Sequence, residues 1–176
     1  MRGRSFGMMI EAGLSLGTNL GDRLGNLRAA ATHIAALPHT TLIARSGIYE
    51  TAPVGVRPEY RHLAYLNAVL IIATGLTPDA LSGHIHAIET LMGRVRTTDR
   101  FAPRVIDIDI LYAGDQILDD DALTLPHPRW SQRRFVMQPL ADVRPDLILP
   151  GAGESVATLL ARHTGSDAAT PYPESW

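Results

Sequence analysis

The sequence of 176 residues contains no cysteine and no lysine. Without cysteine, disulfide bonds and thiolate chemistry are excluded, and any bound metal must use oxygen or imidazole ligands. A chain without cysteine fits a reducing compartment, so we expect a cytoplasmic protein. Because all 16 basic residues are arginines, an arginine where lysine would serve equally well is weak evidence for a specific role.

Long apolar runs and a large net charge are also missing. No apolar stretch approaches the roughly 18 residues needed to span a bilayer. The formal net charge is −2 and the pI is about 6.4, so no basic field attracts nucleic acid or an anionic membrane, and we predict binding to neither. The content of 45% hydrophobic and 19% charged residues is ordinary for a soluble globular protein.

The chain length suits one domain with a sizeable core, and we predict a single domain over residues 8–163. Residues 1–7 are basic and are not followed by an apolar region of signal-peptide length, so we expect a disordered or non-native N-terminus. Residues 164–176 are expected to form a flexible C-terminal tail.

Apolar periodicity, helix caps and turn residues predict the order strand, helix, strand, strand, helix, strand. The predicted strands cover 8–16, 40–49, 65–74 and 105–112, and the predicted helices cover 22–37 and 78–92. A short strand at 116–118 and helices near 131–138 and 154–162 follow. This order is typical of an α+β fold, the ferredoxin-like split β-α-β sandwich, with a mainly antiparallel sheet and helices packed on it.

The strand at 105–112 carries two aspartates on one face. Successive side chains of a strand alternate, so Ile106, Ile108 and Ile110 point one way while Asp107 and Asp109 point the other. Two carboxylates this close repel each other unless a cation lies between them, and Mg²⁺ prefers such oxygen ligands. The alternative is a solvent-facing strand whose outer side is acidic.

Four arginines precede this strand within eleven positions, with only Asp99 opposing their charge. They are Arg94, Arg96, Arg100 and Arg104. A carboxylate pair that holds a metal, beside a cationic loop, suits a polyphosphate, because guanidinium groups neutralise charge that develops during phosphoryl transfer. An arginine-rich loop that reflects only the compositional bias remains the alternative.

Five separated blocks of sequence share a common pattern. They are 93–96 with 100–110, then 16–22, 49–55, 65–68, and 125–129 with Arg133 and Phe135. In these blocks the chain resembles the hydroxymethyldihydropterin pyrophosphokinases, and the resemblance runs in order from about residue 9 to 160. It implies the same sandwich fold and a single pyrophosphokinase domain.

The resemblance also implies an activity. Family members transfer pyrophosphate from ATP to the hydroxymethyl group of 6-hydroxymethyl-7,8-dihydropterin, giving the pterin diphosphate and AMP in folate biosynthesis. It implies ATP as co-substrate and two Mg²⁺ ions, and we expect a monomer.

The resemblance assigns roles to particular residues. The catalytic residues would be Arg96, Arg104, Asp107 and Asp109, of which the two aspartates would bind the metal ions. The pterin would contact Thr51, Ala52, Val54, Tyr65, Asn67 and Phe135. ATP would contact Glu89, Arg94, Arg96, Arg100, Phe101, Arg104, Ile110, Thr124, His127 and Arg133.

Three positions depart from the family pattern. Phe101 stands where tryptophan is common in the family. Thr97 stands directly after Arg96, where the family often has a basic residue, and Ala122 stands where an arginine can contact the nucleotide. The rival interpretations are a nucleotidyltransferase on a similar sheet and a non-catalytic pterin- or nucleotide-binding relative. Taken singly, Tyr65 could be a core aromatic residue and Glu89 part of a solvated helix face.

Overall fold

The computed structural model describes residues 8–176, so the predicted disorder of residues 1–7 lies outside the described part. The strands are β1 (Ile10–Thr18), β2 (Thr40–Arg45), β3 (Tyr49–Thr51), β4 (Tyr65–Thr74), β5 (Asp107–Ala113), β6 (Leu118–Asp119), β7 (Thr124–Leu125) and β8 (Thr170–Pro171). The helices are α1 (Arg23–Ala35), α2 (Pro78–Leu91), α3 (Arg134–Val143) and α4 (Val156–Arg162), with 3₁₀ turns at Pro58–Tyr60 and Trp130–Gln132.

The main sheet confirms the predicted fold class. Its order is β5-β1-β4-β3-β8, and β2 pairs with β4 beside β3. Every pairing in the sheet is antiparallel. Strands β6 and β7 form a separate pair. The chain order and the central position of β1 and β4 are those of the split β-α-β sandwich.

The helices cover both faces of this sheet. On one face Leu14, Leu70 and Ile110 belong to the core cluster that includes buried residues of α1 and α2. On the other face Val69 and Leu111 pack with residues of α3 and α4. The result is three layers, with the sheet in the middle. No helix within residues 8–176 has both the length and the apolar character needed to cross a bilayer.

The helix α2 begins as its sequence predicts. The hydroxyl of Thr77 accepts a hydrogen bond from the backbone N–H of Ala80 at 3.3 Å, and Pro78 occupies the first helical position. Helix α3 differs from its prediction, because it runs through Pro139 to Val143. The buried side chains of this helix offset the hydrogen bond that the proline cannot donate.

The strand predicted at 40–49 is interrupted between β2 and β3. The hydroxyl of Ser46 accepts a hydrogen bond from the N–H of Val69 at 2.8 Å, and the N–H of Gly47 donates to Asp142 at 3.2 Å. Both bonds take the backbone out of regular pairing. Their partners lie on β4 and α3, far along the chain, so local periodicity gives no sign of the break.

The segment 164–176, for which the sequence predicts a flexible tail, lies against the sheet. Its strand β8 pairs with β3, and the N–H of Tyr172 donates to the carbonyl of Ile48 at 2.8 Å. The indole N–H of Trp176 donates to the carbonyl of Ser46 at 2.9 Å. The folded unit therefore extends beyond residue 163, because the edge of β3 and aromatic contacts provide partners that the polar tail sequence does not reveal.

At the start of β1, Glu11 links two other elements. Its carboxylate accepts hydrogen bonds from the Tyr112 hydroxyl at 2.7 Å and from the Arg144 guanidinium at 3.0 and 2.9 Å. The bond from Arg144 outweighs burial and lowers the pKa of Glu11 below its ordinary value of 4.5. The stabilising contribution of Glu11 is therefore complete above pH 4.5 and is lost as the pH falls through the lowered value.

We expect Glu11→Gln to reduce the free energy of unfolding by about 1 kcal/mol at pH 7, because the charge-assisted bonds become neutral ones. The difference from the unchanged protein should be smaller at pH 3 than at pH 7, because the stabilisation by the charged form declines below pH 4.5. Urea unfolding at both pH values measures it. An equal difference at the two values would contradict this account of Glu11.

Candidate active site

One row of paired residues crosses the sheet from β4 to β5. Asn67 pairs with Gly17, and Gly17 pairs with Asp107. Directly paired residues of antiparallel strands project to the same face, here the face that α3 covers further along. A Cβ atom at Gly17 would lie 3.4 Å from Oδ1 of Asn67 and 4.0 Å from the ring of Tyr65. A side chain at this position would therefore contact Asn67 and Tyr65, and the glycine keeps the floor between the amide and the carboxylate free of one.

The two aspartates of β5 face this floor. Ile106, Ile108 and Ile110 are 0%, 4% and 6% exposed and lie in the core with α1 and α2. Asp107 and Asp109 alternate with them and are half-buried on the opposite face. The predicted separation of the isoleucines and the aspartates is confirmed.

Asp107 lies between two guanidinium groups. Nη1 of Arg94 donates to Oδ1 of Asp107 at 2.6 Å, and Nη1 of Arg104 donates to Oδ2 at 3.1 Å. Nη2 of Arg104 also donates to the carbonyl of Arg100 at 2.5 Å. Two of the four loop arginines thus contact Asp107 directly.

Asp109 has an unusual protonation equilibrium. Burial, together with repulsion from Asp107 and Glu89, raises the pKa of Asp109 to about 6, against the opposing charges of Arg133 and Arg94. The ionised form of Asp109 is disfavoured, because it is largely buried and lies close to other negative charges. A bound cation would relieve this repulsion, so the electrostatics favour a metal ligand.

Glu89 is buried beneath the start of β5 and is only 2% exposed. It accepts hydrogen bonds from the N–H of Ile108 at 2.9 Å and from Nη2 of Arg96 at 3.2 Å, and it also pairs with Arg94. A solvated helix face is therefore the wrong interpretation of this residue. Both carboxylate oxygens of Glu89 accept hydrogen bonds from protein groups. Glu89 therefore holds two arginines of the loop 93–104 beside the start of β5.

Asn19, to which sequence reasoning assigned no role of its own, anchors Arg104. Oδ1 of Asn19 accepts from the N–H of Arg104 at 2.9 Å, and the N–H of Asn19 donates to the carbonyl of Arg104 at 3.2 Å. Asn19 is 2% exposed. The sequence signal for a role of Asn19 was a polar residue directly after a buried strand. The signal for Gly17 was a glycine within a strand, which often marks a close approach of a ligand or of another backbone.

Asn67 is held in one orientation at the other end of the row. Its Nδ2 donates to the hydroxyl of Thr51 at 2.8 Å, and the side chain is 4% exposed. Tyr65 is half-buried on the same face, and burial raises the pKa of its hydroxyl, which stays neutral. Ala52 and Val54 are exposed in the loop that follows β3. Amide, hydroxyl and aromatic ring together suit a flat polar heterocycle.

The loops 52–64 and 93–104 touch each other. Nε of Arg57 lies 3.2 Å from Oδ2 of Asp99. A Cβ atom at Gly55 would lie 4.0 Å from the ring of Phe101, on which the guanidinium of Arg100 packs at 4.8 Å from the centroid. Loops 52–64 and 93–104 are thus joined by contacts between their own residues.

The remaining predicted site residues lie in the segment 124–135, part of which contacts β5. Arg133, directly before α3, packs at 5.5 Å from the ring centroid of Phe135. The N–H of His127 donates to the carbonyl of Leu111 on β5 at 2.8 Å. Burial, reinforced by Arg133 and Arg129, lowers the pKa of His127, which is neutral at pH 7. Thr124 lies on β7, which packs on β5.

Ile110 is the predicted ATP contact whose side chain the structure does not bring to the site. It points into the core beside α1 and α2, on the face opposite to Asp109. The reason is strand alternation, which places every second residue of β5 away from the aspartates. Since β5 is the edge strand of the sheet, only the backbone of Ile110 is available to a nucleotide.

The donor set of the site fits Mg²⁺ bound together with a substrate. Within residues 8–176 no group of three or more histidine and acidic side chains forms a complete metal cage. Mg²⁺ is commonly held by one or two carboxylates, with waters and substrate phosphates completing its octahedron. Asp107 and Asp109 provide such a partial set, with arginines placed around it.

Two carboxylates, a group of arginines and the recess at Gly17 beside Asn67 and Tyr65 share one sheet face. Phosphoryl transfer depends on positioning and charge neutralisation more than on covalent help from the protein. The fold and the site together define the class of this protein, an α+β enzyme that transfers a phosphoryl-type group.

Comparison with known proteins identifies the family within this class. Residues 13–145 match the family model described as 7,8-dihydro-6-hydroxymethylpterin-pyrophosphokinase (HPPK). The chain is 43% identical over 155 residues to the 2-amino-4-hydroxy-6-hydroxymethyldihydropteridine pyrophosphokinase of Methylorubrum extorquens, covering 88% of this chain and 94% of that one. It is 40% identical over 148 residues to the enzyme of the same name from Pseudomonas aeruginosa, covering 84% and 88%. The chain belongs to the HPPK family, whose members transfer a pyrophosphoryl group to hydroxymethyldihydropterin in folate biosynthesis.

Solved structures agree on the fold. Wild-type Plasmodium falciparum HPPK-DHPS with pteroate matches with a TM-score of 0.67 at 17% identity. The match covers 88% of this chain but 42% of that one, so the chain spans less than half of that longer protein. At this identity the likeness shows the fold alone.

Proposed function

We propose that this chain transfers pyrophosphate from ATP to the hydroxymethyl group of 6-hydroxymethyl-7,8-dihydropterin, giving the pterin diphosphate and AMP. The observation that carries the proposal is the row from Asn67 through Gly17 to Asp107, which sets an amide that would bind the heterocycle beside a carboxylate that would bind Mg²⁺ with phosphate. Incubation with ATP, Mg²⁺ and the pterin should release AMP. Release of ADP, or no turnover, would refute it.

The pterin would lie on the floor at Gly17. The carboxamide of Asn67, fixed by Thr51, would read the amide edge of the ring, and the faces of Tyr65 and Phe135 would stack on it. The exposed backbone around Ala52 and Val54 would complete the pocket. A nucleotidyltransferase does not need this polar and aromatic recess.

The arginines and their neighbours would bind ATP. The contacts of Arg94 and Arg104 with Asp107 support a position beside the phosphate oxygens of ATP. Arg96, Arg100 and Arg133 would add charge, while Phe101, Thr124 and His127 would border the nucleotide. Glu89 would act through the arginines that it holds, and Ile110 through its backbone.

Asp107 and Asp109 would hold two Mg²⁺ ions, which when bound would neutralise phosphate charge and favour ionisation of the attacking hydroxyl. The fixed recess would orient the pterin oxygen towards the β-phosphorus of ATP. The new bond joins that oxygen to the β-phosphorus, and the bond from the β-phosphorus to the oxygen that bridges it to the α-phosphate breaks. AMP then leaves, and the hydroxyl proton passes to solvent.

Arg104→Ala should lower kcat/KM by roughly ten- to hundredfold, since one charge-assisted bond to phosphate contributes about 1.5–3 kcal/mol. Steady-state AMP release measures the effect. The exposed Arg162, paired with Glu154 on the far segment, provides the control Arg162→Ala with unchanged kinetics. Equal rates for both variants would remove Arg104 from the site.

The loop 93–104 is expected to close over both substrates and exclude water that would hydrolyse ATP. Its contacts with loop 52–64 join the exposed Arg57 to the half-buried Asp99 and bring Phe101 close to Gly55. Amide exchange in 93–104 should therefore slow markedly when a non-hydrolysable ATP analogue and pterin are added together. Equal exchange with and without them would contradict closure.

We further propose a monomer that acts in the cytoplasm. Every group assigned above comes from one chain, so the site needs no second copy, and the absence of cysteine fits a reducing compartment. Light scattering of the purified protein tests the first point.

A further inference from the structure

The helix α3 begins without a capping side chain of its own. Arg133 occupies the cap position and makes no capping hydrogen bond. The missing acceptor comes from the C-terminal segment, where Oδ2 of Asp167 accepts a hydrogen bond from the N–H of Arg134 at 2.8 Å. A negative charge at this end of a helix is also favoured by the helix dipole.

Asp167 is itself held in place. Its Oδ1 pairs with Nε2 of His163 at 2.7 Å, and Nη2 of Arg134 donates to the carbonyl of His163 at 3.3 Å. Burial alone would raise the pKa of Asp167, but the bonds from His163 and from the N–H of Arg134 lower it. The carboxylate is therefore charged at neutral pH. It is held between the imidazole of His163 and the backbone N–H of Arg134, the first residue of α3.

The capped residue lies between two residues of the proposed site. Arg133 and Phe135 flank Arg134, and the guanidinium of Arg133 packs on the ring of Phe135. The charge of Arg133 also reaches Asp109, whose pKa it lowers against burial. Movement of the first turn of α3 would displace the stacking ring and this charge together.

The same segment supports the opposite side of the recess. Pro171 pairs with Tyr49 on β3, and Trp176 donates to the carbonyl of Ser46 just before that strand. Strand β3 ends at Thr51, which fixes the amide of Asn67. The segment lies outside residues 13–145, the part that matches the family model.

We infer that residues 163–176 position both sides of the pterin recess, and that Asp167 is the positioning residue for Arg133 and Phe135. The inference rests on the proposed function. Asp167 touches no substrate; it acts by fixing the first turn of α3, so its loss should weaken pterin binding more than the chemical step or ATP binding.

The test compares Asp167→Ala with Asp167→Asn and Glu154→Ala in the full chain. Asp167→Ala should raise KM and Kd for the pterin about tenfold, while KM for ATP and kcat stay within about twofold. Asp167→Asn keeps an acceptor for the N–H of Arg134 and should recover most of the pterin affinity. Glu154, a half-buried carboxylate of the same region that pairs with the exposed Arg162, should give unchanged constants on replacement.

Unchanged pterin affinity in Asp167→Ala would overturn the inference. Equal losses of pterin and ATP affinity that follow a fall in Tm would also overturn it. The same holds if Asp167→Asn does not restore pterin binding. If Asp167→Ala does not fold, His163→Ala, which frees one carboxylate oxygen, should raise the pterin Kd about threefold; no change there would overturn the inference equally. The proposed function fails separately, on the unchanged protein, if that protein releases no AMP.

Discussion

Asp109→Asn is expected to reduce kcat by on the order of a thousandfold, because a metal-binding carboxylate contributes several kcal/mol to charge stabilisation in the transition state. The amide has nearly the same shape, so the fold should persist. Stability at pH 8 should not fall, since burial and the charge of Asp107 raise the pKa of Asp109 to about 6 and the ionised form is unfavourable there.

AMP release over a range of Mg²⁺ concentrations measures this effect, and a thermal melt checks the fold. Asp115→Asn provides the matched control, because Asp115 is an exposed carboxylate in the turn that follows β5. Its replacement should leave kcat unchanged. Near-normal turnover of Asp109→Asn in Mg²⁺ would show that the carboxylate pair does not bind the catalytic metal.

Glu89→Ala is expected to lower the free energy of unfolding by about 3–5 kcal/mol, the usual cost of removing one partner from a buried ion pair. The change leaves the N–H of Ile108 without its acceptor, removes the partner of Arg96, and leaves Arg94 paired with Asp107 alone. Since these two arginines belong to the proposed ATP-binding group, activity should fall as well, even at temperatures where the variant is folded.

Urea unfolding and AMP release together measure the two consequences. Glu89→Gln separates them, because the amide can still accept from Ile108 but carries no charge, so it should recover part of the stability and little of the activity. Asp79→Ala, at an exposed acid in the first turn of the same helix, should cost less than about 1 kcal/mol. A loss at Glu89 no greater than this would show that the buried carboxylate is not needed.

The main elements of the fold could be predicted because their signals are local. The caps and apolar spacing of α2 and the long apolar run of β4 each depend on a few neighbouring residues. The same holds for the face of Asp107 and Asp109, which strand alternation decides without knowledge of any partner.

Other features could not be predicted, because their causes lie far along the chain. The break between β2 and β3 depends on Val69 and Asp142, and the anchoring of Arg104 depends on Asn19, 85 positions away. Helix α3 is capped by Asp167, 33 positions beyond its first residue. No window of neighbouring residues contains both partners of any of these bonds.

The sequence by itself determined the α+β class, the family and the outward direction of the paired aspartates, since periodicity and motif order are properties of the chain alone. Only the tertiary structure decided that Glu89 is buried as a partner of arginines, that Ile110 points away from the site, and that residues 164–176 pack against β3 and α3. The physical reason is that burial and hydrogen-bond partners are set by which distant segments meet, and a side chain has neither until the sheet has formed.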